Sequence, residues 1–203
     1  MNKITKILTC SLFTIGMMSY SVAKNIVNNE CKNPLVLMQT NMGNIQLQLD
    51  SKDSPITVKN FLHYVNEGYY TNKIYYRVIP GFVIQAGEFN QYLQSTPADR
   101  KPIKNEADNG LSNLKYTISM ARYQDPNSAD VTFFINLEDN PQLDFKAKTP
   151  ESYGYAVFGH VTQGTDVVDA MGHVATTDTN PDFADLPINP IIINSVSVQS
   201  CQN

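Results

Sequence analysis

From Leu35 to Val198 the apolar residues fall in short runs divided by turn-forming residues, a pattern that a strand-rich fold can bury. Ile45-Gln46-Leu47-Gln48-Leu49 alternates with period two, as a strand with one buried face must. Leu35 to Thr40 forms an apolar run before it, and Asn41-Met42-Gly43-Asn44 reads as the connecting turn. Tyr75 to Ile79 and Phe82 to Ala86 read as strands about a Pro80-Gly81 turn. Tyr116 to Ala121, Thr132 to Asn136 and Ala156 to Val161 are further strands, and Ile191 to Val198 closes the series. Two segments have helical spacing instead. Ser54 can cap a helix with Pro55 in its first turn, and Val58, Phe61, Leu62 and Val65 share one face before Gly68. Thr165 is expected to cap a shorter helix ending at Met171. Short antiparallel strands with few helices predict a mainly β barrel or sandwich. The polar segment from Gly87 to Ser112 lacks clear periodicity, and loops of that length are often functional.

Composition narrows the function classes. With 203 residues the chain can bury its own core, and 42% hydrophobic content excludes an intrinsically disordered protein. A formal charge of −4 argues against nucleic acid as a partner, because phosphate backbones require a concentrated basic face. The first residues have a different character. Lys3 and Lys6 precede an uncharged, largely apolar run from Ile7 to Tyr20, followed by Ser21-Val22-Ala23. That three-part layout predicts a signal peptide over residues 1–23 and one domain over 24–203. Cleavage removes two lysines and no acids, taking the charge from −4 to −6. The expectation is a protein of the periplasm or secreted, with no membrane association after cleavage. Cleavage also discards Cys10 and leaves Cys31 and Cys201, just outside the first and last expected strands. In an oxidising compartment these two are expected to form a disulfide.

Most familiar catalytic arrangements are missing. His63, on the first expected helix, has no metal-ligand spacing to another His, Cys or acid, and His160 lies within an expected strand. Both read as satisfied structural histidines, whereas His173 can favour the C-terminus of the second helix. There is no nucleophile elbow and no phosphate-cradling glycine loop. No metal or organic cofactor is therefore expected. One stretch is unusual: Tyr75-Tyr76-Arg77-Val78-Ile79-Pro80-Gly81-Phe82-Val83-Ile84-Gln85-Ala86-Gly87 places an arginine and a glutamine in otherwise apolar strands. By itself this fits a surface arginine and a water-facing glutamine as well as it fits a site.

The same stretch resembles the signature of the cyclophilin peptidyl-prolyl isomerases. The resemblance continues through Pro102-Ile103-Lys104-Asn105-Glu106-Ala107, Asn109-Gly110-Leu111, Ser119-Met120-Ala121-Arg122, Phe133-Phe134-Ile135-Asn136 and Gly154-Tyr155-Ala156-Val157-Phe158-Gly159. It runs in order from about Leu35 to Val198 and is closest to the short bacterial cyclophilins. It implies an eight-stranded antiparallel barrel closed by two helices, with proline-containing polypeptides as partners; a monomer is expected. It assigns Arg77 as the catalytic donor and Gln85 as the residue that meets the substrate backbone and helps hold that arginine. Phe82, Val83, Phe134 and Leu143 match the proline pocket, although core packing alone accounts for Phe134 or Leu143. Ala121 and Arg122 match a segment whose backbone meets the peptide, and Tyr155 falls where many members carry a pocket-rim histidine.

Three residues depart from the family pattern. Tyr76 replaces a histidine, Thr132 a substrate-contacting glutamine, and Gln142 a tryptophan. The resemblance therefore implies an isomerase of exported proteins that assists their folding. A binding module or chaperone on the same groove, without turnover, stays open beside it.

Overall fold

The structure is a computed structural model that describes residues 33–202; the expected signal peptide and Cys31 lie outside the described residues. The barrel strands are β1 (Asn33–Thr40), β2 (Gly43–Leu49), β3 (Lys73–Ile79), β4 (Val83–Asn90), β5 (Thr117–Met120), β6 (Phe133–Asn136) and β7 (Val157–Gln163). A two-stranded hairpin, β8 (Thr176–Thr177) with β9 (Leu186–Pro187), precedes the closing strand β10 (Ile191–Gln202). The helices are α1 (Pro55–Asn66) and α2 (Thr165–Met171). Eight strands close in the order β1-β10-β3-β4-β6-β5-β7-β2, and every pairing is antiparallel. The mainly β class and the closed eight-stranded barrel agree with expectation.

Alternation explains the β1–β2 wall directly. Val36 pairs with Leu47 and Met38 with Ile45, and all four side chains are fully buried. Gln46 and Gln48 take the outer face of the same strand. Inside the barrel, Phe61 of α1 meets Phe158 at 5.2 Å and Phe133 edge-on at 5.7 Å, so the helix is pinned by aromatic burial.

The start of α1 differs from expectation. Ser54 occupies the cap position but makes no side-chain cap bond; its hydroxyl donates to the Val157 carbonyl at 2.6 Å. The opening amides of Ile56 and Thr57 instead donate to the two oxygens of Glu106, at 3.0 and 2.8 Å. A carboxylate from the long polar segment thus supplies the negative charge that a helix start favours. At the other end Gly68 takes a left-handed φ of +68°, which ends the helix as expected. For α2 the cap position belongs to Gly164 rather than Thr165. The β8–β9 hairpin was not anticipated, because two residues per strand are too few to show alternation.

Candidate active site

A bulge builds the site. Tyr75 pairs with Ala86 and Arg77 with Gln85, so β3 spends two residues where β4 spends one. Strict alternation would send Tyr76 and Arg77 to opposite faces; here both are half-buried, while Tyr75 and Val78 point into the core. Gln85 in turn pairs with Phe134 on β6. Arg77, Gln85 and Phe134 therefore stand on three adjacent strands, in a row roughly 10 Å wide at ordinary strand spacing.

Polar contacts hold that row. Arg77 donates through Nη1 to Oε1 of Gln85 at 3.3 Å, and Gln85 donates through Nε2 to the Tyr76 hydroxyl at 2.5 Å. Thr132 lies beside this phenol, which burial, above all other causes, pushes up to a pKa of about 12. The two departures are thus coupled. Tyr76 brings its hydroxyl to Gln85, and the buried Thr132 is short enough to leave room for it. On its outer side Arg77 approaches Asp185, with Nε 3.8 Å from Oδ2. The backbone carbonyl of Asp185 accepts the Val78 N–H at 2.9 Å, which ties the β8–β9 hairpin to β3.

The apolar side of the row is equally fixed. Phe134 and Tyr155 meet edge to face at 5.6 Å, and Val83 is buried while Phe82 and Leu143 are half-buried. Neither Phe134 nor Val83 belongs to the packed cluster inside the barrel, so both face the site rather than the core. The Tyr155 amide donates to the Leu143 carbonyl at 3.0 Å. Asn140 donates through Nδ2 to the Phe82 carbonyl at 3.0 Å and to Asn136 Oδ1 at 2.9 Å. Asn136 reaches Asn113, which also holds Asp144. This buried amide network lies beneath the pocket and escaped sequence reasoning, because asparagines in loops ordinarily read as turn formers and Asn113 lies 23 residues from Asn136.

Other expected site residues serve different ends. The Arg122 guanidinium donates to the carbonyls of Gly154, Tyr123, Gln124 and Pro150 and lies 4.9 Å from the Tyr155 ring centre. It fastens the loop beside the site, and the Ala121 amide donates to the Thr132 carbonyl at 2.9 Å. A recess of about 60 Å³ lies between Tyr76, Gln85, Ala121, Tyr123 and Thr132. Gln142 is exposed and donates to Asn140 Oδ1 at 2.9 Å.

One histidine reading changes. His63 is satisfied, as its structural reading expects, by both Asp99 oxygens at 3.1 and 2.9 Å, and its hydrogen bond holds the exposed Asp99 carboxyl below the usual range. His160 faces solvent on β7. His173 donates through Nδ1 to the Asp169 carbonyl at 2.6 Å, at the end of α2 as anticipated. Among the described residues no group of His, Cys, Asp and Glu could hold a metal ion, and no helix is long and apolar enough to cross a membrane.

An apolar wall facing an anchored arginine on a closed barrel defines a cyclophilin-like site, and the comparisons give the family. The description "Cyclophilin type peptidyl-prolyl cis-trans isomerase/CLD" matches residues 35–198, and the chain belongs to that family. It is 47% identical over 163 residues to a peptidyl-prolyl cis-trans isomerase of Streptomyces antibioticus, covering 80% of this chain and 97% of the relative. It is 45% identical to peptidyl-prolyl cis-trans isomerase B of Escherichia coli (strain K12), covering 81% of this chain and 99% of that one. Among solved structures, a Cryptosporidium parvum cyclophilin type isomerase crystallised in the presence of the dipeptide Ala-Pro superposes with a TM-score of 0.67. Its identity is 26%, with 82% of this chain and 99% of that chain covered.

Proposed function

We propose that the protein is a peptidyl-prolyl cis-trans isomerase, with Arg77 as the group that acts on the rotating bond. The observation that carries this reading is the Arg77–Gln85–Tyr76 chain of hydrogen bonds, set on rigid strands across from the Phe134–Tyr155 wall. Rotation about an X-Pro bond crosses roughly 18–20 kcal/mol, because the amide loses its partial double bond. As resonance breaks, a lone pair returns to the prolyl nitrogen. A guanidinium N–H aimed at that nitrogen gains more in the twisted state than in either planar state, and only such a difference accelerates the reaction. Gln85 and Asp185 hold Nη1 and Nε of Arg77, which directs the remaining N–H groups of the fork toward the groove. Phe82, Val83, Phe134 and Leu143 grip the ring, Tyr155 edges them, and Ala121, Arg122, Thr132 and Gln142 border the flanking peptide. No proton leaves and no covalent bond forms.

The clients are exported polypeptides, and the reading of residues 1–23 as a signal peptide supports folding assistance in the periplasm or outside the cell. The same compartment permits a Cys31–Cys201 bridge. Its support is register: Cys201 lies opposite Pro34 across the β1–β10 pair, three residues along the chain from Cys31. A non-turnover binding module is the second reading. It is favoured by Thr132 and by the exposed Gln142, which leave the groove fewer of the family's peptide contacts. The deciding experiment is cis-to-trans relaxation of an Ala-Pro peptide in the cold. Acceleration proportional to protein concentration supports the isomerase; binding of the peptide with an unchanged relaxation rate supports the module.

A further inference from the structure

A second cleft adjoins the arginine, and no part of the mechanism uses it. It encloses about 420 Å³ and is lined by Tyr76, Arg77, Phe89, Leu93, Asp182 and Phe183. Tyr76, Phe89 and Phe183 form an aromatic wall, meeting edge to face at centroid distances of 4.9, 4.9 and 6.2 Å. Phe183 comes from the β8–β9 connection, the segment that the Asp185 carbonyl ties to β3.

We propose that this cleft is a second side-chain subsite of the peptide groove, taking an aromatic or large aliphatic side chain of the client near its proline. The inference rests on the isomerase reading for the nature of the ligand. Continuity is the first argument, because Tyr76 and Arg77 belong both to the catalytic row and to the cleft wall. The Tyr76 hydroxyl is engaged by Gln85, so what this residue offers the cleft is its ring. Charge is the second. Arg77 and Asp182 both line the cleft, so either sign of charged side chain meets one like and one opposite charge and gains no net preference. A neutral apolar side chain buries against three rings without giving up the hydration of a charge. Backbone strain is the third. Leu93 holds a left-handed φ of +58°, a conformation that costs a non-glycine residue about 1 kcal/mol or more and that recurs where a side chain is placed for binding.

The test uses the full chain and short peptides that carry Phe two or three residues before or after the proline, each beside its all-Ala parent. The expected result is a preference in kcat/KM of about tenfold for one placement of Phe. Phe183→Ala and, separately, Leu93→Asn, which suits the left-handed backbone, each bring that ratio back toward one. Equal rates for every placement, in a protein that isomerises the parent peptides, overturn the subsite and leave the isomerase reading standing. A protein inert on all peptides removes the isomerase reading instead. NMR titration with the same peptides then decides the subsite by itself. Chemical-shift changes at Phe89 and Phe183 support it, and changes confined to the Phe134 wall overturn it.

Discussion

The wall formed by β1, β2 and β10 and the wall formed by β3, β4 and β6 belong to one barrel but obey different rules. On β1 and β2 of the first, every second residue is buried and the residues between them, such as Gln39, Gln46 and Gln48, face outward. On the second, all four residues of β6 are buried, and a bulge turns Tyr76 and Arg77 to the same side of β3. Inner-face residues of both walls, Met38 and Leu47 on one and Phe133 and Ile135 on the other, fill the same core. The outer residues differ. Phe134 is covered by Tyr155, and Asn136 is held by Asn140 beside the turn at Pro141–Leu143. Where a barrel's outer face is covered and still bears an arginine, it has stopped being a surface and become a site.

That contrast predicts a separation between stability and activity. The largest effect belongs to the β1–β10 seam. The proposed Cys31–Cys201 bridge, closing a loop of about 170 residues, would restrict the unfolded state by about 5 kcal/mol in the chain-entropy model. Reduction is expected to lower the unfolding midpoint in urea while leaving isomerase activity per folded molecule unchanged. Intact mass after thiol labelling of unreduced, folded protein checks the bridge itself, and two labelled thiols exclude it. Next comes Phe61→Ala on the core side, where removal of a fully buried ring costs about 3–5 kcal/mol. Denaturant unfolding reads this loss, and activity below the transition should hold.

Arg77→Ala reverses the pattern. The side chain is 37% exposed and its 3.8 Å contact with Asp185 is a surface-type pair, so the stability change is expected to stay below about 1 kcal/mol. Activity on an Ala-Pro peptide should fall about 100-fold, equivalent to about 2.7 kcal/mol of transition-state stabilisation. Wild-type activity in the variant would remove Arg77 from the mechanism.

Legibility in the sequence follows the same division. Val36, Met38, Ile45 and Leu47 could be placed from alternation alone, because one face of their strands meets the core and the other meets water. Arg77 and Gln85 could be noticed as polar residues in apolar strands, but their pairing depends on the bulge at Tyr76, which has no local sign. The resemblance to a known family, rather than periodicity, brought Phe134, Leu143 and Tyr155 together. Glu106 capping α1 and Asn140 holding Phe82 were hidden for a simpler reason: each partner lies about 50 residues or more away, so neither contact leaves a short-range pattern. The role of the Arg122 side chain, taken up by four neighbouring carbonyls, was equally hidden, because two of those carbonyls, on Gly154 and Pro150, lie on a loop that no local pattern joins to it.

The smallest expected effect tests the bulge of the second wall, at Tyr76. Tyr76→Phe keeps the ring contact with Phe89 at 4.9 Å and removes the hydroxyl that accepts from Gln85. At neutral pH Gln85 still accepts from Arg77, so the rate should fall only about two- to fivefold, worth about 0.4–1 kcal/mol. The clearer signal lies at alkaline pH. Burial raises the folded phenol from its ordinary value of 10.0 to about 12. Below pH 10 both the folded and unfolded states keep the proton, and this group leaves stability unchanged. Between pH 10 and about 12 the unfolded chain releases its proton while the folded one retains it, so stability falls as pH rises. Tyr75, also buried and also raised, contributes a slope of the same sign from the core side. Urea unfolding of the wild type and Tyr76→Phe from pH 8 to 11.5 should therefore give curves that decline together at first, with the variant declining less steeply above pH 10. Identical slopes would mean that the phenol ionises as readily in the folded protein as in water, and that burial of Tyr76 does not disfavour its charged form.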